Sequence, residues 1–445
     1  MVFGTNKGMN ILLIYTYNPG LVSGVIATDL FKELQKQGHN VKLLVNRYDP
    51  SYPEGIVSME TYFLFWKKKI LDKIKNKLRL NRKQHTDPKY HFLDLSEQKE
   101  YYKTTKILKK ANLKPDAIIV LFAKYFINSK NIYELYKKTN APVYWLMYDM
   151  APLTGGCHYA WECKGYQNNC GNCPGLFSTD PFDITFENLQ FKKKYLDRTD
   201  IRMVTGSEWQ YRQAKESTLF KNYHIHKILT AFNTDIFKPV AKEVIRKKNG
   251  IPKEKKIVFF GAHQLFDERK GMKYLLDSFK ILKDLLRTNP ELNNNILLLI
   301  AGNGFDKIKD HLPFEYHNMG MLDNSHGIAS AYQAADIFVC PSIEDSGPSM
   351  INQSIMCGTP VVCFNMGVAL DLVFNGKTGY RSKLRDSKDL AQGMYNILSM
   401  PSCEYEIMQN NCRQLALDFF QPAVNINNWL KILNSTDDKR SNSTV

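Results

Sequence analysis

No apolar run in this chain of 445 residues reaches the ~18 residues that a membrane-spanning helix needs. A secretory signal is missing too. The apolar stretch at 10–15 is too short for one, and it leads straight into Asn18-Pro19-Gly20. It predicts a first β-strand and a cytoplasmic protein. Acidic residues are scarce: 44 Asp and Glu stand against 60 Lys and Arg, for a net charge of +16. A surplus of this sign points to an anionic partner, either a membrane surface or a nucleic acid. The nucleic-acid reading lacks its motifs: no zinc-finger spacing, no basic helix joined to heptads, no aromatic RNA-binding strand. The 9 cysteines are scattered and form no disulfide framework, which suits a reducing compartment. There is no internal repeat and no low-complexity tract.

A chain of this length, 44% hydrophobic, can bury two separate cores. The opening reads strand 11–15, a Gly/Pro/Ser loop at 18–24, an amphipathic helix at 27–34 stopped by Gly38-His39, then strand 41–45. Buried strands follow at 117–122 and 143–147, and the segment from Val204 to Trp209 reads as the last strand of this half and its loop. Residues 241–256 read as a charged linker, with the domain boundary near Val240. The second half opens with strand 257–260 and Gly261, followed by a helix at 274–282 and a strand at 296–301. An amphipathic run at 415–433 is expected to cross back onto the first domain, and 436–445 to form a disordered tail. Between Lys67 and Lys83 lie 9 Lys/Arg and one Asp. Trp66, Ile70, Ile74 and Leu78 form one apolar stripe there. Such a helix suits an anionic membrane surface, each basic residue adding about 1 kcal/mol; the alternative is a solvated face on a packed helix.

The most informative stretch begins where strand 336–340 ends. Asp345-Ser346-Gly347-Pro348-Ser349 leads into a helical patch through Gln353, then Gly358-Thr359-Pro360 turns into Val361-Val362. A loop after a parallel strand that feeds a helix N-terminus is where open α/β sheets bind ligands. Backbone amides of Ser346, Gly347 and Ser349, with the helix dipole, suit a phosphate. Asp345 is placed to take sugar hydroxyls and Gln353 a second polyol such as ribose. A second cluster holds Cys157, Cys163, Cys170 and Cys173, with His158 beside the first. Four soft ligands within 17 residues suit a tetrahedral zinc. Only the last pair has standard knuckle spacing, so a packed loop of reduced thiols or a disulfide stays open.

The ordered series from 257 to 380 resembles the C-terminal domain of the retaining family-4 glycosyltransferases. Here their E-x7-E signature reads D-x7-Q, from Asp345 to Gln353, before Gly-Thr-Pro-Val-Val. The Asp-Ser-Gly-Pro wording and the Cys-rich insertion at 149–176 resemble bacterial exopolysaccharide enzymes of the colanic-acid type. The resemblance implies two Rossmann-like α/β domains facing a cleft, the GT-B arrangement. It places an acceptor-side domain at 1–239, a nucleotide-sugar domain at 240–414 and a crossing helix at 415–435. It implies a hexosyltransferase that moves a sugar with retention from a nucleotide-sugar donor to a surface polysaccharide or its lipid-linked precursor. The enzyme would be cytoplasmic, peripheral at an anionic membrane surface, with no nucleic-acid partner. No cofactor is implied for catalysis, and a structural zinc is the one metal expected.

The resemblance also assigns roles. Lys270 matches the lysine that clamps the donor diphosphate. The companion arginine's place is Ala262, and Arg269 stands in from a longer loop. Gly24, Gly261, Gly320, Met321 and Met350 join Ser346, Gly347, Ser349 and Gln353 in donor binding. Tyr148 stands where the family commonly has a histidine, leaving Asp149 or His158 as substitutes, with Asp149 grouped with Lys270, Arg269 and Asp345 as catalytic. Two other classes stay open: a degenerate sugar-nucleotide-binding subunit without turnover, and a basic membrane-surface binding protein.

Overall fold

The structure, a computed structural model, describes residues 8–16, 24–61, 85–92, 95, 97–347 and 349–435. The basic helix expected at 67–83, the tail expected at 436–445 and most of the first Gly/Pro/Ser loop lie outside the described residues. The chain divides into two compact units. One takes in the chain up to Gly206, then Gln210–Ile228 and everything from Ile426; the other comprises Ser207–Trp209 and Leu229–Asn425.

The first unit is built on a parallel sheet. Its strands are β1 (Asn10–Tyr15), β2 (Asn40–Val45), β3 (Ile56–Ser58), β4 (Ala117–Phe122), β5 (Val143–Met147), β6 (Ile201–Thr205) and β7 (Ile225–Lys227). They lie in the order β3-β2-β1-β4-β5-β6-β7. Near-continuous apolar runs such as Ile11-Leu12-Leu13-Ile14, all fully buried, are what a sheet covered on both faces demands. The segment Val204–Trp209 does not hold the last strand: β7 pairs beyond β6 in register Met203↔Ile225. That strand is three residues long, too short for alternation to show it.

The second unit repeats the plan. Its strands are β8 (Lys256–Gln264), β9 (Ile296–Asn303), β10 (Glu315–Asn318), β11 (Ile337–Cys340), β12 (Val361–Phe364) and β13 (Gly379–Ser382). They lie in the order β10-β9-β8-β11-β12-β13, all parallel pairs. In both sheets the chain winds outward one way from the first strand and then the other. This doubly wound order leaves a switch point beside the first strand, between β1 and β4 and between β8 and β11.

Three expectations are corrected. The charged linker 241–256 contains a helix, Lys242–Lys248, with Arg246 buried beneath it. Its charges did not mean solvation, because a buried carboxylate waits for them. Asp336 Oδ2 accepts from Arg246 Nη2 at 2.8 Å and from Ile257 N at 2.6 Å, while Oδ1 takes Lys242 Nζ at 2.6 Å. The run at 415–433 is two helices, Ser402–Phe419 and Pro422–Asn434. Pro422 has no N–H to continue the first and suits the start of the second. The first helix buries Cys412 and Ala416 in the second unit's core. The second helix places Ile426, Trp429 and Leu433 in the first unit's core, where Tyr144 Oη donates to Ile432 O at 2.7 Å. Finally, the second unit begins at Leu229 rather than near Val240, because Phe232 and Phe237 pack into its core.

The Asp336 carboxyl shows what holds the second sheet. Burial pushes its pKa up, but Lys242 and Arg246 outweigh burial and hold it below the usual carboxylate range. The stability this contributes is therefore present above about pH 3.9, the unfolded carboxylate value, and is lost as pH falls through the lower folded value. Asp336→Ala leaves the buried Arg246 and the half-buried Lys242 without their partner and should cost about 3–5 kcal/mol in denaturant unfolding. Asp336→Asn should also flatten the acid limb of the stability profile; an unchanged acid limb would remove Asp336 from the account.

Candidate functional site

The residues singled out in the second unit gather at its switch point. The loop after β8 contributes a short 3₁₀ turn, Glu268–Lys270, whose N-cap Asp267 accepts from Arg269 N at 3.2 Å. The loop after β11 carries Asp345, Ser346 and Gly347 into the helix Ser349–Met356. Ile343 N donates to Arg269 O at 2.8 Å, which ties the two loops together. Gly271 makes that approach possible. It closes the 3₁₀ turn at φ +66° and caps the helix Met272–Leu285, and a Cβ there would overlap the Pro341 carbonyl oxygen.

The charges meet at one carboxylate. Lys270 Nζ lies 2.5 Å from Asp345 Oδ2, and Arg269 Nη1 lies 3.6 Å from the same oxygen. Gly347 N donates to Asp345 Oδ1 at 3.3 Å. Asp345 and Arg269 are both buried. Burial alone would push the Asp345 carboxyl up; Lys270 first and Arg269 second outweigh it and hold the carboxyl below its usual range. Arg269 is fixed from behind by Asp267, whose Oδ2 is 2.7 Å from Nη2. Sequence reasoning missed Asp267; an Asp two residues ahead of Arg in a turn closed by Gly is the signal that could have shown it. The Ser346 hydroxyl is buried at the same helix start and has no hydrogen-bond partner among the described residues.

The other expected donor contacts are spread along the same edge of the sheet. Gly261 lies within β8, which runs on to Gln264, three residues past the expected Gly261 turn. Gly320, at φ +67°, and the exposed Met321 follow edge strand β10. Ser349 opens the helix and Met350 packs partly against the core. Gln353 is buried, and its Oε1 accepts from Tyr332 Oη at 3.3 Å.

Asp149 and Gly24 belong to the first unit. Gly24 is the N-cap of the helix Val25–Lys36, which follows β1. Asp149 lines a cavity of about 80 Å³ beyond the ends of β4 and β5, with Phe122, Lys124, Tyr148, His158 and Lys192 on its wall. Its Oδ2 is 2.5 Å from His158 Nδ1, and His158 Nε2 is 3.0 Å from Lys124 Nζ. With Lys124 an ammonium, Nε2 accepts and Nδ1 donates to Asp149. Lys192, buried, holds the wall by donating to Ala151 O at 2.6 Å and Thr154 O at 2.8 Å. The Tyr148 hydroxyl is buried without a hydrogen-bond partner among the described residues. Lys124 was not legible in the sequence, since it is brought in from a different strand end.

Cys157, Cys163, Cys170 and Cys173 are free thiols that line one small cavity of about 20 Å³. Backbone amides point at the sulfurs: Gly165 N lies 3.4 Å from Cys163 Sγ, and the amides of Gly175 and Leu176 donate to Cys173. Burial pushes the Cys170 thiol up to about 12 and raises Cys157 and Cys173 as well. The donor set is that of a zinc site, and all four thiols line this one cavity. Among the described residues, no three of His, Cys, Asp and Glu are grouped to hold a metal ion. Also among the described residues, no helix is long and apolar enough to cross a membrane.

Comparison with known proteins bears chiefly on the second unit. Residues 241–415 match the family model described as glycosyl transferases group 1. The D-inositol 3-phosphate glycosyltransferase 2 of Catenulispora acidiphila is 25% identical over 179 residues, which are 38% of this chain and 40% of that protein. The chain thus matches less than half of that relative's length. Solved structures show the fold over nearly the whole chain. Sucrose-phosphate synthase of Thermosynechococcus elongatus superposes with a TM-score of 0.65 at 16% identity, covering 95% of this chain and 98% of that one. Anabaena HepE in complex with UDP and glucose gives 0.59 at 14% identity, covering 96% and 100%. The two Rossmann-like α/β domains expected from the sequence are therefore the fold of this chain, shared with GT-B glycosyltransferases.

The Gly271 contact is open to a direct test. Gly376 also has positive φ, +73°, but a Cβ there meets nothing within 4 Å. Gly376→Ala should therefore cost only the left-handed backbone penalty, about 1–3 kcal/mol. Gly271→Ala should cost clearly more in chemical denaturation, because it adds the overlap with Pro341. Equal costs would mean that the two loops do not depend on that approach.

Proposed function

We propose that the protein is a glycosyltransferase that takes its sugar from a nucleoside-diphosphate donor, and that the donor diphosphate binds at the second unit's switch point. One observation carries the reading: Lys270, Arg269, the Gly347 amide and the unpartnered Ser346 hydroxyl converge at a helix start, in the segment matched to the glycosyl transferases group 1 model. Two cations and a helix N-terminus stabilise the charge that develops on a leaving diphosphate without a divalent metal. HepE, which shares the fold, binds UDP and glucose. The acceptor reading rests on the first unit's cavity, where aromatic walls and the Asp149–His158–Lys124 chain suit a hydroxyl-rich ligand. Within this proposal the transferred group is a hexose, configuration is retained, and the acceptor is a saccharide or its lipid-linked form, as the motif resemblance implies.

A second reading, a sugar-nucleotide binder without turnover, is favoured by Gln353. An uncharged amide stands at the end of the signature, and its oxygen is occupied by Tyr332. Donor hydrolysis and transfer assays separate the two. A structural zinc at Cys157, Cys163, Cys170 and Cys173 is a separate proposal, supported by the shared cavity and the amides aimed at Cys163 and Cys173. Metal analysis of protein purified without chelator should then find about one zinc per chain, lost in Cys173→Ser. Metal-free protein with four free thiols would leave a packed loop.

The donor reading is tested by a thermal-shift screen against UDP-, GDP- and dTDP-sugars, one of which should raise the melting temperature. Lys270→Ala should abolish that shift and transfer together, at a cost of about 2–4 kcal/mol in transition-state stabilisation. Normal turnover by Lys270→Ala would sink the assignment of the clamp.

A further inference from the structure

The contacts around Asp345 have a second meaning, which rests on the donor reading above. Asp345 was expected to hold sugar hydroxyls. In the structure its two oxygens collect groups that a bound phosphate would need. Oδ2 takes Lys270 Nζ at 2.5 Å and faces Arg269 Nη1 at 3.6 Å, while Oδ1 takes the Gly347 amide at 3.3 Å. Two cations and a backbone N–H at a helix start, converging on one anion, make a phosphate cradle in form. The occupant here is the protein's own carboxylate. The Ser346 hydroxyl beside it is buried and, among the described residues, has no hydrogen-bond partner, so it can donate to a ligand.

We propose that Asp345 is a built-in stand-in for the donor diphosphate: it holds Lys270 and Arg269 in the donor-free protein and yields them when the donor binds. Charge balance motivates the arrangement. Arg269 is buried, and a buried cation without a partner is strongly destabilising. Asp267 covers one end of its guanidinium, at 2.7 Å, and Asp345 faces the other. When a diphosphate enters, it brings more negative charge than the carboxylate it replaces. The cations transfer to it, and Asp345 is left to accept from the Gly347 amide and from the donor's own hydroxyls. Asp345 therefore acts as a positioning residue that competes with the ligand it prepares for.

The test is Asp345→Asn, with Asp345→Ser as the second variant should the amide not fit. Two readouts must move in opposite directions. Without ligand, the variant should melt below the wild type, because Lys270 loses the carboxylate at 2.5 Å and Arg269 keeps only Asp267. Affinity for UDP, GDP or dTDP, whichever the wild type binds, and for inorganic pyrophosphate should rise roughly tenfold or more by calorimetry, the order of one removed charge contact in a partly shielded site. The gain should vanish in Asp345→Asn combined with Lys270→Ala, since the two act on the same charge. An unchanged or weakened diphosphate affinity, with loss confined to the nucleotide sugar, would overturn the inference and return Asp345 to a sugar ligand. A wild type that binds no nucleoside diphosphate would overturn the donor reading itself.

Discussion

A single buried carboxylate, Asp336, sets the frame on which the second unit's site stands. It enters β11 directly beside β8 and accepts from the Ile257 backbone, Lys242 and Arg246. Tyr405, from the helix Ser402–Phe419, donates to the Asp336 carbonyl at 2.7 Å. Two strands and two helices are therefore pinned at the N-terminal edge of the sheet. These two strands are the ones between which the winding reverses. With their starts fixed, their far ends deliver the loops of Lys270 and Asp345 to one place. A carboxylate at one end of the sheet registers the strands, and a carboxylate at the other end collects the cations.

The same physical rule reads differently at the two ends. At Asp336 the ion pairs are permanent, because the carboxylate and Arg246 are buried, with Lys242 half-buried beside them. At Asp345 the partners come from loops at the strand ends, where ligands of such sheets bind. A buried charge cluster closed by packing serves stability. One placed at a switch point is where the proposed exchange with a donor diphosphate would take place.

Much of this was legible in the sequence. The apolar strands were readable because parallel, doubly covered strands are apolar along their whole length. The Asp345 loop was readable because turn residues, helix start and following strand are contiguous in the chain. The helix at Lys242–Lys248 was not, because its cations look solvated until Asp336, about 90 residues on, is brought beneath them. Strands β3, β7 and β10 carry too few residues for periodicity to register. Lys124 and Asp267 escaped for the same reason as the Arg246 pairing: their meaning lies in what the fold sets beside them. The thiols were legible as a cluster in the chain, yet sequence spacing said nothing about how near the sulfurs stand.

The final helix, Pro422–Asn434, bears on how the chain can be divided. The polypeptide leaves the first unit's main body near Ile228, builds the second unit, and returns to finish the first with Ile426, Trp429 and Leu433. The closing piece is anchored by Tyr144, itself held by Arg202 at 2.7 Å. The first unit is therefore discontinuous, and its core is completed only when the last stretch of chain arrives. During synthesis from the N-terminus, that core stays open until the second unit has already emerged. A nascent first unit would thus expose the apolar seat of Trp429 until the closing helix arrives, and a fragment cut after Ile228 would carry that exposed seat for good.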